Sequence, residues 1–575
     1  MFKKSILAIC LAVASLPSLA DTNTDLKTII DNHWQNAKAE KIFFRTDPDG
    51  WKPNGTLPNW SEQAIAKRQA YNNSVLKSLA SIDPKTLNNE QLMNYRLFKY
   101  ERKTEQQSYL FQDKYFPVNF LSGWHTYFAE APANMAFLTP DDYNAFLISL
   151  ADYPRFNQQN IDLMKEGIKT GFTHYCKTFE NYSQSISAHI VKQPENSALY
   201  EPFTRIPNTF TAEQKATYQN KAKALISSKV VPAYQHFYDF FENDYMPNCR
   251  AQPGISSVKG GLEYYKYAVN YYTTTDATPK QIHELGLKEV ARIKTQMQNI
   301  IDEVGFDGTY SDFLEFLATD KQFYATDAQD LLEKTAFITQ KMYGKLPTYF
   351  NHLPRNTFTI KGSASRGAFY MPPADNRSPG TYFLASTPKL QPLYNLEALS
   401  LHEAIPGHHL QNAIAMELNV PEFRRTLSHS AFGEGWALYT ERLGKEAGFY
   451  QSPYSDFGRL GYEMWRAVRL VVDTGIHAFG WSRQKAIDYL ADHTALPQSA
   501  VEDQIDRYIS WPGQALSYKM GEIKIRELRA KAEKELGAKF DIRSFHDTVI
   551  GQGSLPMEVL EDVINDWIEK QKSAI

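Results

Sequence analysis

Eight consecutive residues concentrate the chemistry this chain could perform: His402-Glu403-Ala404-Ile405-Pro406-Gly407-His408-His409. A His-Glu pair followed within two turns by further histidines is how a helix holds zinc. Two imidazoles bind the ion, and the carboxylate beside the first accepts a proton from water. The usual spacing puts the second imidazole four residues after the first, a position that Pro406 occupies here. His408, at i+6, points away from His402 on an unbroken helix. It reaches the same ion only if Pro406-Gly407 absorbs two extra residues in a bulge or kink. Proline removes a backbone donor and glycine tolerates unusual dihedrals, which suits the pair to that task. His409 is the alternative ligand, but two regular turns would carry it ~10 Å from His402, too far without distortion. The flanking residues Leu399, Leu401 and Leu410 are apolar. So many titratable groups in such surroundings are unfavourable to bury without a partner, and a metal is the expected one.

A catalytic zinc site needs a third protein ligand and keeps one position open. The segment Phe432-Gly433-Glu434-Gly435-Trp436 offers Glu434, set between two glycines that permit close backbone approach. Glu441 is the alternative; with Lys445 one turn on, it reads as half of an ordinary surface pair. The expected cofactor is therefore Zn2+ on His402, His408 and Glu434, with Glu403 as general base. Elsewhere, Arg469, Asp473 and His477 share one helical face at four-residue intervals. They could line a cleft, form a self-satisfied ladder, or rival the first site for a metal. The run from Asp506 to Gln514, continuing to Tyr518 and Lys519, sets a cation, phenols and an amide around Pro512-Gly513, as an irregular cleft wall would. Arg366, Arg377 and Arg507 could each bind a terminal carboxylate, and nothing in the sequence ranks them.

Most of the remaining chain repeats apolar residues at helical spacing, as in Leu76 and Leu79 or Ile161, Met164 and Ile168. The clearest helix start is Thr278-Pro279 with Gln281, an N-cap, a first-turn proline and a capping-box partner. Ile282, Leu285, Val290, Ile293 and Met297 then supply its apolar face. Residues 356–386 break the helical pattern. Thr357-Phe358-Thr359-Ile360, Ala368-Phe369-Tyr370 and Thr381-Tyr382-Phe383-Leu384 read as short strands beside the histidine helix. The Pro/Gly/Asn-rich stretch 47–59 reads as a surface loop.

Lys3 and Lys4, an apolar run from Ile6 to Ala14, then Pro17, Ser18 and Ala20 form a secretory signal over residues 1–20. A single helical unit over 21–575 follows. Cys10 lies inside the apolar run after Ile9, which disfavours a lipoprotein reading. No later stretch approaches the ~20 apolar residues of a membrane span, so the expected location is periplasmic or secreted. Net charge is −3, without charge runs; nucleic acid and acidic lipid are not expected partners, and no feature specifies an oligomeric state. In an oxidising compartment Cys176 and Cys249 can bridge, worth about 4 kcal/mol in the chain-entropy model.

These motifs resemble a bacterial family, domain of unknown function 885. The resemblance rests on residues 402–411, on Gly433-Glu434-Gly435-Trp436-Ala437, and on Arg507-Tyr508 with Pro512-Gly513-Gln514-Ala515 and Tyr518. More distantly, the order of elements is similar to the helical zinc peptidases related to angiotensin-converting enzyme and the thermostable carboxypeptidases. That likeness implies His402, His408 and Glu434 as ligands, Glu403 as base, Tyr508 as oxyanion donor and His493 as a substrate contact. It also implies a mainly α, two-lobed fold with a deep cleft, and a short or unfolded peptide as substrate. The competing expectations are a non-catalytic binding protein of the same fold and a metal-free carboxylate hydrolase such as a glycosidase.

Overall fold

The computed structural model describes residues 22–39, 44–47, 50–364, 367–373 and 378–573. The signal segment, Arg366 and Arg377 lie outside the described residues. The architecture is mainly α, with a two-stranded and a three-stranded sheet. Strands β1 (Phe44–Asp47) and β2 (Gly50–Pro53) form an antiparallel pair. They fall partly within the stretch read as a surface loop. The difference arises because Lys52 and Leu57 are buried there and Trp51 packs against a core formed by residues of the 57–245 segment. Within that core the helix α1 (Pro140–Thr170) begins at a Thr139/Asp142 capping box and ends at Gly171, whose φ of 81° closes the last turn.

Helix α2 (Pro279–Val304) starts where its capping signals place it. Gln281 N donates to Thr278 Oγ1 at 3.3 Å, and Thr278 N donates to Gln281 Oε1 at 2.9 Å. Ile282, Val290, Ile293 and Met297 are buried as their spacing requires, whereas Leu285 packs only partly buried at the edge of a neighbouring core. The sheet of residues 356–386 has β3 (Phe358–Ser363) parallel to β5 (Gly380–Ala385), and β4 (Phe369–Met371) antiparallel on the other edge of β5. Six elements then build the site. They are α3 (Leu393–Glu403), α4 (His408–Glu417), α5 (Ser430–Glu446), α6 (Pro453–His477), α7 (Gln498–Ser510) and α8 (Ser517–Leu536).

One hydrophobic core joins Leu26 and Ile30 near the start to Trp567 and Ile568 near the end, and takes in Leu399, Leu401, Ile405 and Trp436 on the way. Helices α3, α4, α5 and α8 of the site are packed into this core. Helix α6 runs through a second core with α2, burying Met464, Val468, Val471 and Val472. Cys176 and Cys249 form the expected disulfide. Among the described residues, no helix is long and apolar enough to cross a membrane.

Candidate metal centre

The two residues that exceed the usual zinc spacing are accommodated by ending one helix and starting another, a larger departure than a bulge. Helix α3 stops at Glu403, where Ala404 leaves helical backbone geometry at φ −100° and ψ −101°. Helix α4 restarts at His408, with Gly407 as its N-cap. A side chain at Gly407 is impossible, since its Cβ would lie 1.9 Å from the His402 carbonyl oxygen. The break is pinned from α5. Trp436 Nε1 donates to the Pro406 carbonyl at 2.8 Å, and Thr440 Oγ1 donates to the Leu401 carbonyl at 3.0 Å. With the chain folded back in this way, the rings of His402 and His408 meet edge to face, 4.7 Å between centroids.

Glu434 comes to the same point because α5 and α8 cross backbone against backbone. A Cβ on Gly435 would lie 2.5 Å from Gly521 Cα, so only glycine allows the approach. Glu434 Oε2 then lies 3.5 Å from His402 Nε2 and 3.4 Å from His408 Nε2. One donor atom from each of the three falls within 4.8 Å of the others. Zinc–ligand bonds of 2.0–2.2 Å in a tetrahedron imply ligand separations of about 3.3–3.6 Å. The residues therefore fit zinc in donor type, number and spacing.

The surroundings favour positive charge at that point. Burial opposes charge on His402, but hydrogen bonds with Glu434 and Glu441 outweigh it and raise its pKa to about 10. Glu434 is also buried, yet His408 and His402 hold it well below the carboxylate range. Beside them burial raises the Glu403 carboxyl, with the two histidines opposing the rise and Glu434 adding to it.

Glu441 corrects the sequence reading. It is 1% exposed and takes no part with Lys445, which pairs with Asp456. Its Oε1 lies 2.7 Å from His402 Nδ1, and Arg466 Nη2 lies 3.3 Å from that oxygen. A carboxylate at Nδ1 fixes the ring and leaves Nε2 for a metal. The signal was present in the sequence, since Glu441 follows Glu434 by two turns on one face of α5. His409 turns away from the other two, with Nδ1 3.1 Å from the Tyr370 hydroxyl and its ring against Phe358.

A cavity of about 560 Å3 opens onto the three ligand candidates and Glu403. Its wall includes Tyr370 of β4, Tyr462, Arg466 and Arg469 of α6, Arg507 of α7 and Tyr518 of α8. Tyr508 is not part of that wall. Its hydroxyl is enclosed by Trp465 Nε1 at 3.0 Å, Arg469 Nε at 2.9 Å and Gln504 Oε1 at 3.1 Å. His493 is also outside the wall, stacked on Tyr489 and hydrogen-bonded to its carbonyl at 2.7 Å. Tyr518 does line the cavity, with Tyr370 and Tyr462, and it accepts from Arg507 Nη2 at 3.2 Å. Burial and Glu434 would raise its pKa, but Arg507 and Arg469 outweigh them and lower it. Asp473 and His477 satisfy protein groups. Asp473 accepts from the Tyr265 hydroxyl at 2.6 Å and from Gly513 N, while His477 sits between Tyr508 O and Ile255 N.

A mainly helical fold with two histidines and a glutamate clustered at the wall of a cavity is the class these features define. The chain belongs to the bacterial family of unknown function DUF885, whose model matches residues 46–564. It is similar to a solved structure of a presumed lipoprotein from Colwellia psychrerythraea, at 28% identity and a TM-score of 0.83, covering 96% of this chain and 98% of that one. A second, from Shewanella oneidensis, is a presumed lipoprotein of unknown function. It shares the fold at 16% identity and a TM-score of 0.73, over 95% of this chain and 100% of that one. Comparison with curated proteins gave no match.

Proposed function

We propose that this chain is an exported zinc-dependent peptidase acting on short or unfolded peptides in a two-lobed helical scaffold. The observation that carries the reading is the convergence of His402, His408 and Glu434 beside buried Glu403 at the wall of one cavity. A zinc ion on those three residues would supply Lewis acidity toward a carbonyl oxygen and toward water. Glu403, buried at the same wall, accepts the proton of the attacking water and returns it to the leaving amine. Tyr518 donates a hydrogen bond from its phenolic O–H to the oxygen on which charge develops, steadied by Arg507. A volume of about 560 Å3 admits a few residues of extended chain and excludes a folded protein. Export, to the periplasm or beyond, rests on the leader-like first twenty residues and on the lipoprotein description of the two similar structures.

The test is digestion of a mixed peptide library by the purified protein with and without chelator, alongside Glu403→Gln. Chelator-sensitive cleavage that Glu403→Gln abolishes, with zinc and melting temperature retained, is the expected result. Cleavage unaffected by chelator would favour a metal-free carboxylate hydrolase, and full activity in Glu403→Gln would refute the mechanism.

A further inference from the structure

Three arginines line the cavity, and their counter-charges differ. Arg466 has Glu441 at 3.3 Å. Arg469 is 3% exposed. Its Nε donates to the Tyr508 hydroxyl at 2.9 Å, its Nη2 reaches Gln504 Oε1 at 3.4 Å, and its Nη1 is buried without an acceptor. Arg507 spends Nη2 on Gln514 Oε1 at 2.7 Å and on the Tyr518 hydroxyl at 3.2 Å. Among the described residues, neither Arg469 nor Arg507 forms an ion pair with a carboxylate.

A guanidinium withdrawn from water with a free N–H donor is unfavourable unless an acceptor arrives. Arg469 is also held in place. Its guanidinium carbon lies 4.3 Å from the Tyr518 ring centroid and 4.7 Å from that of Trp465. Such a fixed, planar fork matches a carboxylate. Glu403 and Glu434 belong to the metal centre, and Asp503, one turn before Arg507, is exposed. An anion is therefore drawn to the α6 side of the wall, where Arg469 is.

We propose that Arg469 and Arg507 form a carboxylate subsite of this cavity, so that substrates present a carboxylate close to the bond that is cut. The phrase "bond that is cut" rests on the peptidase reading; the anion seat rests on the two guanidiniums alone. A carboxylate can come from the C-terminus of a peptide or from an acidic side chain, and the experiment separates the two.

Three acetylated alanine tetrapeptides serve as probes: the free acid, the C-terminal amide, and the amide with glutamate as last residue. Their affinities for the Glu403→Gln protein are measured by isothermal titration. The free acid should bind about 10- to 100-fold more tightly than the plain amide, as a charge-assisted pair implies. A glutamate amide that binds like the acid assigns the seat to carboxylates of either origin; one that binds like the plain amide assigns it to the C-terminus. Adding Arg469→Gln should collapse the acid-to-amide ratio to below about threefold, and Arg469→Lys should restore part of it. Equal affinities of the three peptides for the Glu403→Gln protein, or no measurable binding by any, overturn the subsite. Carboxylate discrimination in a protein that hydrolyses no peptide would uphold the subsite and overturn the peptidase reading.

Discussion

Removing the charge of Glu441 should loosen the metal without touching a ligand. The carboxylate is 1% exposed, 2.7 Å from His402 Nδ1 and 3.3 Å from Arg466 Nη2, so it serves two donors out of water. Glu441→Gln keeps the volume and one acceptor but turns a charge-assisted bond into a neutral one, a loss of about 1 kcal/mol. Glu441→Ala removes the bond and leaves Arg466 buried without its counter-charge. Zinc affinity should therefore fall by roughly tenfold in the first variant and up to about 100-fold in the second, the range for groups that orient a metal-bound histidine. Competition against a chromophoric chelator at fixed neutral pH gives both dissociation constants, with melting curves recording the fold. Affinities within twofold of the parent in both variants would refute the argument, because His402 would then need no partner at Nδ1.

Tyr518→Phe should lower kcat by about 10²–10³ with a smaller change in KM, and steady-state kinetics decide it. Tyr508→Phe should instead cost about 1–2 kcal/mol of stability with kcat within a few-fold, since its hydroxyl serves Trp465, Arg469 and Gln504; the reverse pattern would restore Tyr508 to the site. Asp473 gives a pH signature: burial raises its carboxyl to about 7 from 3.8, against the donors Tyr265 and Gly513. The protonated folded form is favoured, so its stabilising effect is present below the unfolded value and is lost as pH rises through about 7. Asp473→Asn should flatten the decline in unfolding free energy across that window, by an amount on the order of a few kcal/mol; parallel curves would contradict it.

The parts of the site set by local chain chemistry were legible in the sequence. Thr278 and Gln281 announce a helix start, the β-branched and aromatic runs of 356–386 announce strands, and His402, Glu403, His408 and Glu434 mark, by type and clustering, the polar group that the fold brings together. Whether His408 or His409 converges with His402 depends on how the chain leaves α3. That exit is fixed by Trp436 and Thr440 from another helix, which no local pattern reveals. Glu441 looked like a surface charge because its neighbour Lys445 is visible in sequence and its partners Arg466 and His402 are not. Tyr508 and Tyr518 carry the same chemistry ten residues apart, and Tyr518 is the one that lines the cavity because the Tyr508 hydroxyl is enclosed by Trp465, Arg469 and Gln504, partners that the sequence does not show. The strands at 44–53 were missed because proline, glycine and asparagine mark turns more strongly than Trp51 marks a strand.

The central claim is that His402, His408 and Glu434 hold one zinc ion. Elemental analysis of protein purified without chelator and then equilibrated with zinc should give about one zinc per chain. His402→Ala, His408→Ala and Glu434→Ala should each lose it, while His409→Ala and His493→Ala should keep it. Full zinc in the His408 or Glu434 variant, or loss of zinc in the His409 variant with its fold intact, would contradict the account.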